Sequence, residues 1–264
     1  MAPHLFSCVV VAGAAALVLT ADAAARDPCP LTAIGTAAVV AVRDGRTLAL
    51  ADGRDLRLAA IEVTDGARDA LKHLVADRML RLEKLGAEYD RYGRLVAFAF
   101  AGDSTQSLQQ ALLERGEARV SARVGDKSCA DALLAIERAA RASRRGLWTD
   151  PNFAPLPAEN NQRLREERGH FAIIEGRVSS VRESGGIIYV NFGRRWTRDF
   201  SVLIPRRLRG TFAAAGLEPK QLAGQRVRVR GWVEERRGPI IEADAPEQIE
   251  LASDGMKQWQ EVRP

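Results

Sequence analysis

The chain has 264 residues, 46% hydrophobic and 28% charged, values that exclude disorder, collagen and a coiled coil as whole-chain descriptions. Its length suits one large domain or two small ones, each able to bury a core. Basic residues outnumber acidic ones 39 to 34, for a formal charge of +5, which permits a polyanionic partner without requiring one. Five of the basic residues are lysines (Lys72, Lys84, Lys127, Lys220 and Lys257) and 34 are arginines, a bias that high-GC coding also produces.

An apolar run of about 15 residues ends near Thr20, too short to span a bilayer comfortably. Small residues follow, and the A-x-A pattern predicts cleavage after Ala23 or Ala25. Its n-region is weak, with only the amino terminus and His4 for positive charge. Cys8 precedes the apolar run instead of closing it, which argues against a lipoprotein signal. Residues 1–25 are therefore read as a signal peptide, with export to the periplasm or beyond and no membrane span after cleavage. The mature chain keeps Cys29 and Cys129. In an exported protein two cysteines read as one disulfide, here closing a loop of about 100 residues; the alternative is two buried free thiols. His73 and His170 lie far from both cysteines and from each other, so they read as surface or satisfied histidines.

Residues 36–42, 46–51 and 54–61 alternate as three short strands, with hairpin signals at Asp44-Gly45 and Asp52-Gly53. Residues 66–76 carry apolar residues at helical spacing. Strands are predicted at 78–83 and 94–100, and amphipathic helices over 104–115 and 129–144. Gly116 and Gly146 stand where helix stops belong.

Residues 151–168 are rich in Pro, Asn and charge and read as a linker. The pattern then becomes β, with strands predicted at 171–181, 187–192, 200–204, 226–234 and 239–250, and a short helix near 206–215. Five strands with one helix fit a small barrel of the OB type over 169–252. Residues 253–264 read as a loose tail.

The segments 42–50 (VRDGRTLAL), 57–65 (RLAAIEVTD), 90–100 (DRYGRLVAFAF), 107–120 (SLQQALLERGEARV) and 132–148 (ALLAIERAARASRRGLW) stand in one order and spacing. Over about Val39 to Trp148 this arrangement resembles the thermonuclease, or staphylococcal-nuclease-like, family. The later segment resembles, more weakly, the OB-like module that follows such domains in some exported bacterial proteins. The implied fold class is mainly β with helices (α+β). It comprises a staphylococcal-nuclease-like OB-fold barrel with three helices over 30–150 and a second, OB-like five-stranded barrel.

Active members of that family hydrolyse phosphodiester bonds of DNA and RNA. The chemistry needs a carboxylate to position or deprotonate water, a divalent cation (usually calcium) on a phosphate oxygen, and guanidinium groups for the transition-state charge. By resemblance the guanidinium pair is Arg57 and Arg94, and the general base is Asp65, one methylene shorter than the family's glutamate. The metal carboxylates correspond to Glu62 and to Arg46, which cannot ligate and could instead contact substrate. Asp44 is a weak substitute ligand. Arg91 and Tyr92 match positions that touch a nucleotide phosphate. The resemblance thus implies a surviving arginine clamp beside a degraded calcium site. The same residues also suit blander roles: barrel-end salt bridges for Arg57 and Arg94, a turn for Asp44, solvated loop carboxylates for Glu62 and Asp65, and packing for Tyr92.

In the second unit, alternation places Arg226, Arg228, Arg230 and Trp232 on one face of a strand, with Val227, Val229 and Val233 on the other. With Trp196 in a basic and aromatic loop, this face reads as a candidate single-stranded nucleic-acid surface. Alternatively, the arginine stems cover the barrel and Trp232 packs on them. The expected function is an exported nuclease-like protein; the alternatives are a non-catalytic nucleic-acid or phosphate binder and an envelope scaffold.

Overall fold

The computed structural model describes residues 28–64, 66–76, 78–195 and 197–252. The expected leader (1–25) and tail (253–264) lie outside the described residues, as do Asp65 and Trp196.

The first unit comprises β1 (Thr32–Val42), β2 (Thr47–Leu50), β3 (Asp55–Leu58), β4 (Ile61–Val63), α1 (Ala67–Val75), β5 (Met79–Lys84), β6 (Leu95–Ala101), α2 (Leu108–Arg115), β7 (Ala118–Val120) and α3 (Lys127–Ala142). Strands β1, β2, β3, β6 and β5 close into a barrel in that order. Every pair is antiparallel except β3 with β6. The Asp-Gly turns work as the sequence predicts. Asp44 Oδ1 accepts the Arg46 N–H at 2.8 Å, and Asp52 Oδ1 accepts the Arg54 N–H at 3.0 Å. Closure falls to β1, which pairs with β5 along one half and β2 along the other. Its register slips beside Gly35, whose φ is +121°. Such a bulge bends a strand around a small barrel.

Leu48, Leu56, Leu58, Leu80, Leu82, Leu95 and Phe98 fill the interior, with α2 and α3 against it. Ser107 and Gln110 form a capping box at the start of α2, and Gly116 ends it in the left-handed conformation. The other expected helix stop acts differently. α3 ends at Ser143, and Gly146 lies against Gly116, where a Cβ on either residue would meet the opposing backbone at 2.5 Å or less. The expected disulfide joins Cys29 to Cys129 and ties the entry to β1 onto the first turn of α3.

The second unit comprises β8 (Leu156–Pro157), α4 (Asn161–Glu166), β9 (Phe171–Arg177), β10 (Ser180–Ser184), β11 (Ile187–Asn191), β12 (Ser201–Pro205), α5 (Arg209–Ala214), β13 (Arg226–Trp232), β14 (Glu234–Glu235), β15 (Pro239–Glu242) and β16 (Ile249–Leu251). Two expectations are corrected. The second set of strands forms two sheets, β10-β11-β12-β15-β14 and β16-β13-β9-β8, rather than five unbroken barrel staves. The cause is bending: β9 continues into β10, and β13 into β14, across one or two residues. Followed through those bends, the pairing runs around the same order as the first barrel, again with one parallel pair, β12 with β15. Residues 151–168 are not a loose linker. β8 pairs with β9, Asn160 caps α4, and Ala158 and Leu164 are buried in the second core. A few apolar anchors among many polar residues suffice to dock it.

Between the two cores lies a small apolar seam of Ala140, Leu147, Trp148, Phe171 and Ile173. Beside it stands the largest change from the sequence reading. The β13 alternation holds, with Val227, Val229 and Val233 in the core. The arginine face, however, does not lie open to a nucleic-acid strand. Arg230 is 1% exposed and bonded to Glu137 of α3 at 2.9 and 3.1 Å, to Glu250 at 2.6 Å and to the Val120 carbonyl at 3.0 Å. Arg226 and Arg228 both hold the buried Glu175. Of these guanidinium groups Arg230 crosses the junction, to Glu137, while Arg226 and Arg228 meet Glu175 within the second unit. Burial and the nearby Arg228 charge push Arg141 down to about 10, so it stays protonated at neutral pH. Among the described residues no helix is long and apolar enough to cross a membrane.

Two expected outcomes follow from the junction and the disulfide. Arg230→Ala leaves Glu137 and Glu250 with only the longer pairs to Arg141 and Arg138, and should cost up to about 3–5 kcal/mol in urea unfolding. Burial pushes the Glu250 carboxyl up, but the charges and hydrogen bonds of Arg230, Arg228 and Arg138 together outweigh it and bring it below its ordinary value of 4.5. A depressed folded-state pKa stabilises above the unfolded value, so this contribution fades as pH falls below about 4.5. Reduction of the Cys29–Cys129 bridge frees a loop with a sequence separation of 100. It should lower stability by up to about 4.7 kcal/mol, measured as a shift of the urea midpoint with and without reductant.

Candidate phosphate site at the barrel rim

The loop Asp90-Arg91-Tyr92-Gly93-Arg94 organises itself. Asp90 Oδ1 accepts the N–H groups of Tyr92 and Arg94 at 2.9 and 3.0 Å, and Gly93 takes φ +74° to close the turn. Asp90 Oδ2 holds the Arg94 guanidinium at 2.7 Å. Burial pushes the Asp90 carboxyl up, but the bonds from Arg94 and Tyr92 pull it further down, so it remains a carboxylate. The exposed Tyr92 ring lies under two guanidinium groups, Arg91 at 4.7 Å and Arg94 at 5.1 Å. The aspartate, aromatic and glycine of this short segment together fix where Arg94 points.

Arg57 projects from β3, opposite Thr47 of β2 and Val96 of β6. Its pKa is lowered by burial and then by the charges of Arg46 and Arg94, with Glu62 and Asp44 acting the other way. The sequence-predicted residues Arg57, Arg94, Arg46, Glu62 and Asp44 therefore do come together. Guanidinium remains protonated through such shifts. Among the described residues no carboxylate pairs with Arg57. Asp65 follows β4 directly, between Thr64 and Gly66, and lies outside the described residues.

Arg46 and Glu62, which the resemblance assigns to metal positions, are instead bonded to each other at 2.5 Å, and Arg46 also donates to the Ile61 carbonyl at 2.8 Å. Asp44 spends one carboxylate oxygen on its turn. Among the described residues no three His, Cys, Asp or Glu side chains gather to hold a metal ion. Hard cations want several free oxygens, so the described residues do not fit calcium.

Arg46 and Glu62 also form one wall of a cleft of about 370 Å³ between the two units. The sequence reading missed Arg119, Phe153 and Arg163 in this cleft and gave no site role to His170. Arg119 stands opposite Glu62 in the β4–β7 pair. Its guanidinium lies 5.6 Å from the Phe153 ring centre and 4.9 Å from that of Phe171. Burial lowers its pKa, its Nη1 donates to the Phe171 carbonyl at 3.2 Å, and its buried Nε has no partner. Nothing in a three-residue strand marks such a residue, because its partners arrive from the other unit.

Residues 55–150, from β3 to the short turn after α3, match the family described as Staphylococcal nuclease homologue. This supports a thermonuclease-like domain and a nuclease-like fold for that segment. Comparison with curated proteins gave no match.

Arg46→Asp would break the ion pair and add a second carboxylate beside Glu62. The variant is expected to gain a calcium-dependent rise in Tm that the parent lacks; a rise of equal size in the parent would overturn this account of Arg46.

Proposed function

We propose that this chain is an exported phosphodiesterase acting on nucleic acid, with its reaction centre at the rim of the first barrel. The observation that carries the reading is Arg57. It is a half-buried guanidinium without a described counter-ion, flanked by Arg46 and Arg94. Arg46 and Arg94 are paired with Glu62 and Asp90, so Arg57 is the member a phosphodiester would pair with. Arg57 and Arg94 would each hold a phosphate oxygen, with forked donors suited to an oxyanion. Asp65 would take a proton from water as its oxygen bonds to phosphorus. The P–O bond to the departing sugar then breaks, and solvent returns a proton to the leaving oxygen. The guanidinium bonds strengthen as charge builds in the transition state. Export is supported by the leader pattern and by a disulfide buried between Cys29 and Cys129.

A second reading rests on the Arg46–Glu62 pair. With the family's metal positions satisfying each other, the same clamp would bind phosphate without hydrolysing it.

A fluorogenic DNA and RNA cleavage assay on the chain without residues 1–25 tests the proposal, since every described residue is kept. It is run with calcium, with other divalent ions and with chelator. Cleavage is expected, falling by about 10²–10³ in Arg57→Ala and in Arg94→Ala. Absence of cleavage with retained oligonucleotide binding would replace the enzyme with the phosphate binder.

A further inference from the structure

The cleft between the two units adjoins the rim site without a break. Arg46 and Glu62 belong to both: they act on Arg57 at the rim, and they line the cleft. Beyond Glu62 comes Arg119, its cross-strand partner. The opposite wall comes from the second unit, with Trp232, His170 and Arg163.

The charges of this cleft sort into spent and unspent. Glu62 is neutralised by Arg46 at 2.5 Å, and Glu167 by Arg163 at 2.8 Å. Arg119 makes no ion pair with any described residue, although desolvation penalises its charge. Glu137, Glu62 and Glu167 favour its charge from nearby but are each paired with another arginine, so a cation held this way, between two phenyl rings and with an unpartnered Nε, has room for an anion of its own. Trp232 is 50% exposed, an unusual state for a large aromatic residue, and is steadied edge-on by Phe171 at 6.3 Å. It therefore offers one ring face at low entropic cost. The volume, about 370 Å³, falls at the small-ligand end of ordinary binding pockets.

From the continuity of the rim with this cleft, we infer that the cleft is a subsite for a single-stranded nucleic-acid segment running out of the rim site, its backbone phosphate met by Arg119 and a base stacked on Trp232. The inference rests on the rim as a phosphodiester site but concerns binding, not turnover. A duplex does not fit, because its bases are already stacked and cannot reach an aromatic face. The interdomain ion cluster gains a purpose here: it holds Trp232, on β13, at a fixed distance from Arg119, on β7.

The test measures binding in chelator by anisotropy of labelled six-nucleotide oligothymidylate and oligouridylate, with a blunt duplex as control. The parent should bind single strands more tightly than duplex. Trp232→Ala and Arg119→Met should each weaken single-strand binding by about fivefold or more, with Trp232→Phe restoring most of it. Trp232 is half-exposed, so its loss should leave the fold intact even if Arg119→Met does not. No single-strand binding by the parent, a preference for duplex, or unchanged affinity in Trp232→Ala would each overturn the subsite. The two readings fail separately. Loss of binding in Trp232→Ala without any cleavage by the parent removes the enzyme and keeps the cleft. Cleavage that needs Arg57, with binding indifferent to Trp232, removes the cleft and keeps the enzyme.

Discussion

Arg230 is the residue on which the arrangement of the two barrels depends. Its guanidinium crosses from β13 to Glu137 on α3, and Glu137 Oε2 also accepts the Val120 N–H at 2.6 Å. Glu137 is thus fixed from two sides, one from each unit. Val120 belongs to β7, whose middle residue Arg119 pairs across to Glu62, and Glu62 holds Arg46 beside Arg57. The interface is therefore linked to the rim through β7 and β4, ending at the Arg46–Glu62 pair whose charges act on Arg57. Of these contacts only the one from Arg230 to Glu137 crosses between the units; the rest lie within the first.

A buried ion cluster is a weak source of net stability, because desolvation takes back most of the Coulombic gain. Its geometric demand is another matter. A guanidinium whose bonds go to two carboxylates and a carbonyl tolerates little displacement. The apolar seam around Trp148 and Phe171 supplies burial that is indifferent to small shifts. The two elements divide the work: apolar contact drives association, and Arg230 sets the register. That register decides whether a cleft forms between the barrels at all.

Legibility in the sequence follows from the range of the interactions. The Asp-Gly turns and the capped helix α2 rest on contacts within a few residues, and the barrel strands show in their alternation, so turn chemistry and periodicity reveal them. Arg94 was singled out by the resemblance alone, and the structure adds that Asp90, Tyr92 and Gly93 position it locally. The disulfide was readable because two cysteines allow one pairing. Arg230 was seen on the correct strand face but given the wrong surroundings. Alternation tells which residues share a face, and not whether that face meets water or a neighbouring barrel. The expected linker failed likewise, because its polar composition hid the burial of Ala158 and Leu164. Arg119 had no local signal, as its rings come from residues 153 and 171.

The Arg46–Glu62 pair gives the rim its present character. An acid at position 46 would leave two carboxylates facing Arg57, a balance that a divalent cation completes. Arginine there uses up Glu62, and Asp90 is taken by Arg94, so Arg57 is the guanidinium of this group that no described carboxylate pairs with. Three guanidinium groups repel one another at close range. The folded protein can keep them together because the barrel fixes their strands and because Glu62 and Asp90 offset two of the three charges. Arginine at 46 therefore leaves Glu62 tied to a cation of the protein's own instead of free to ligate one from solution.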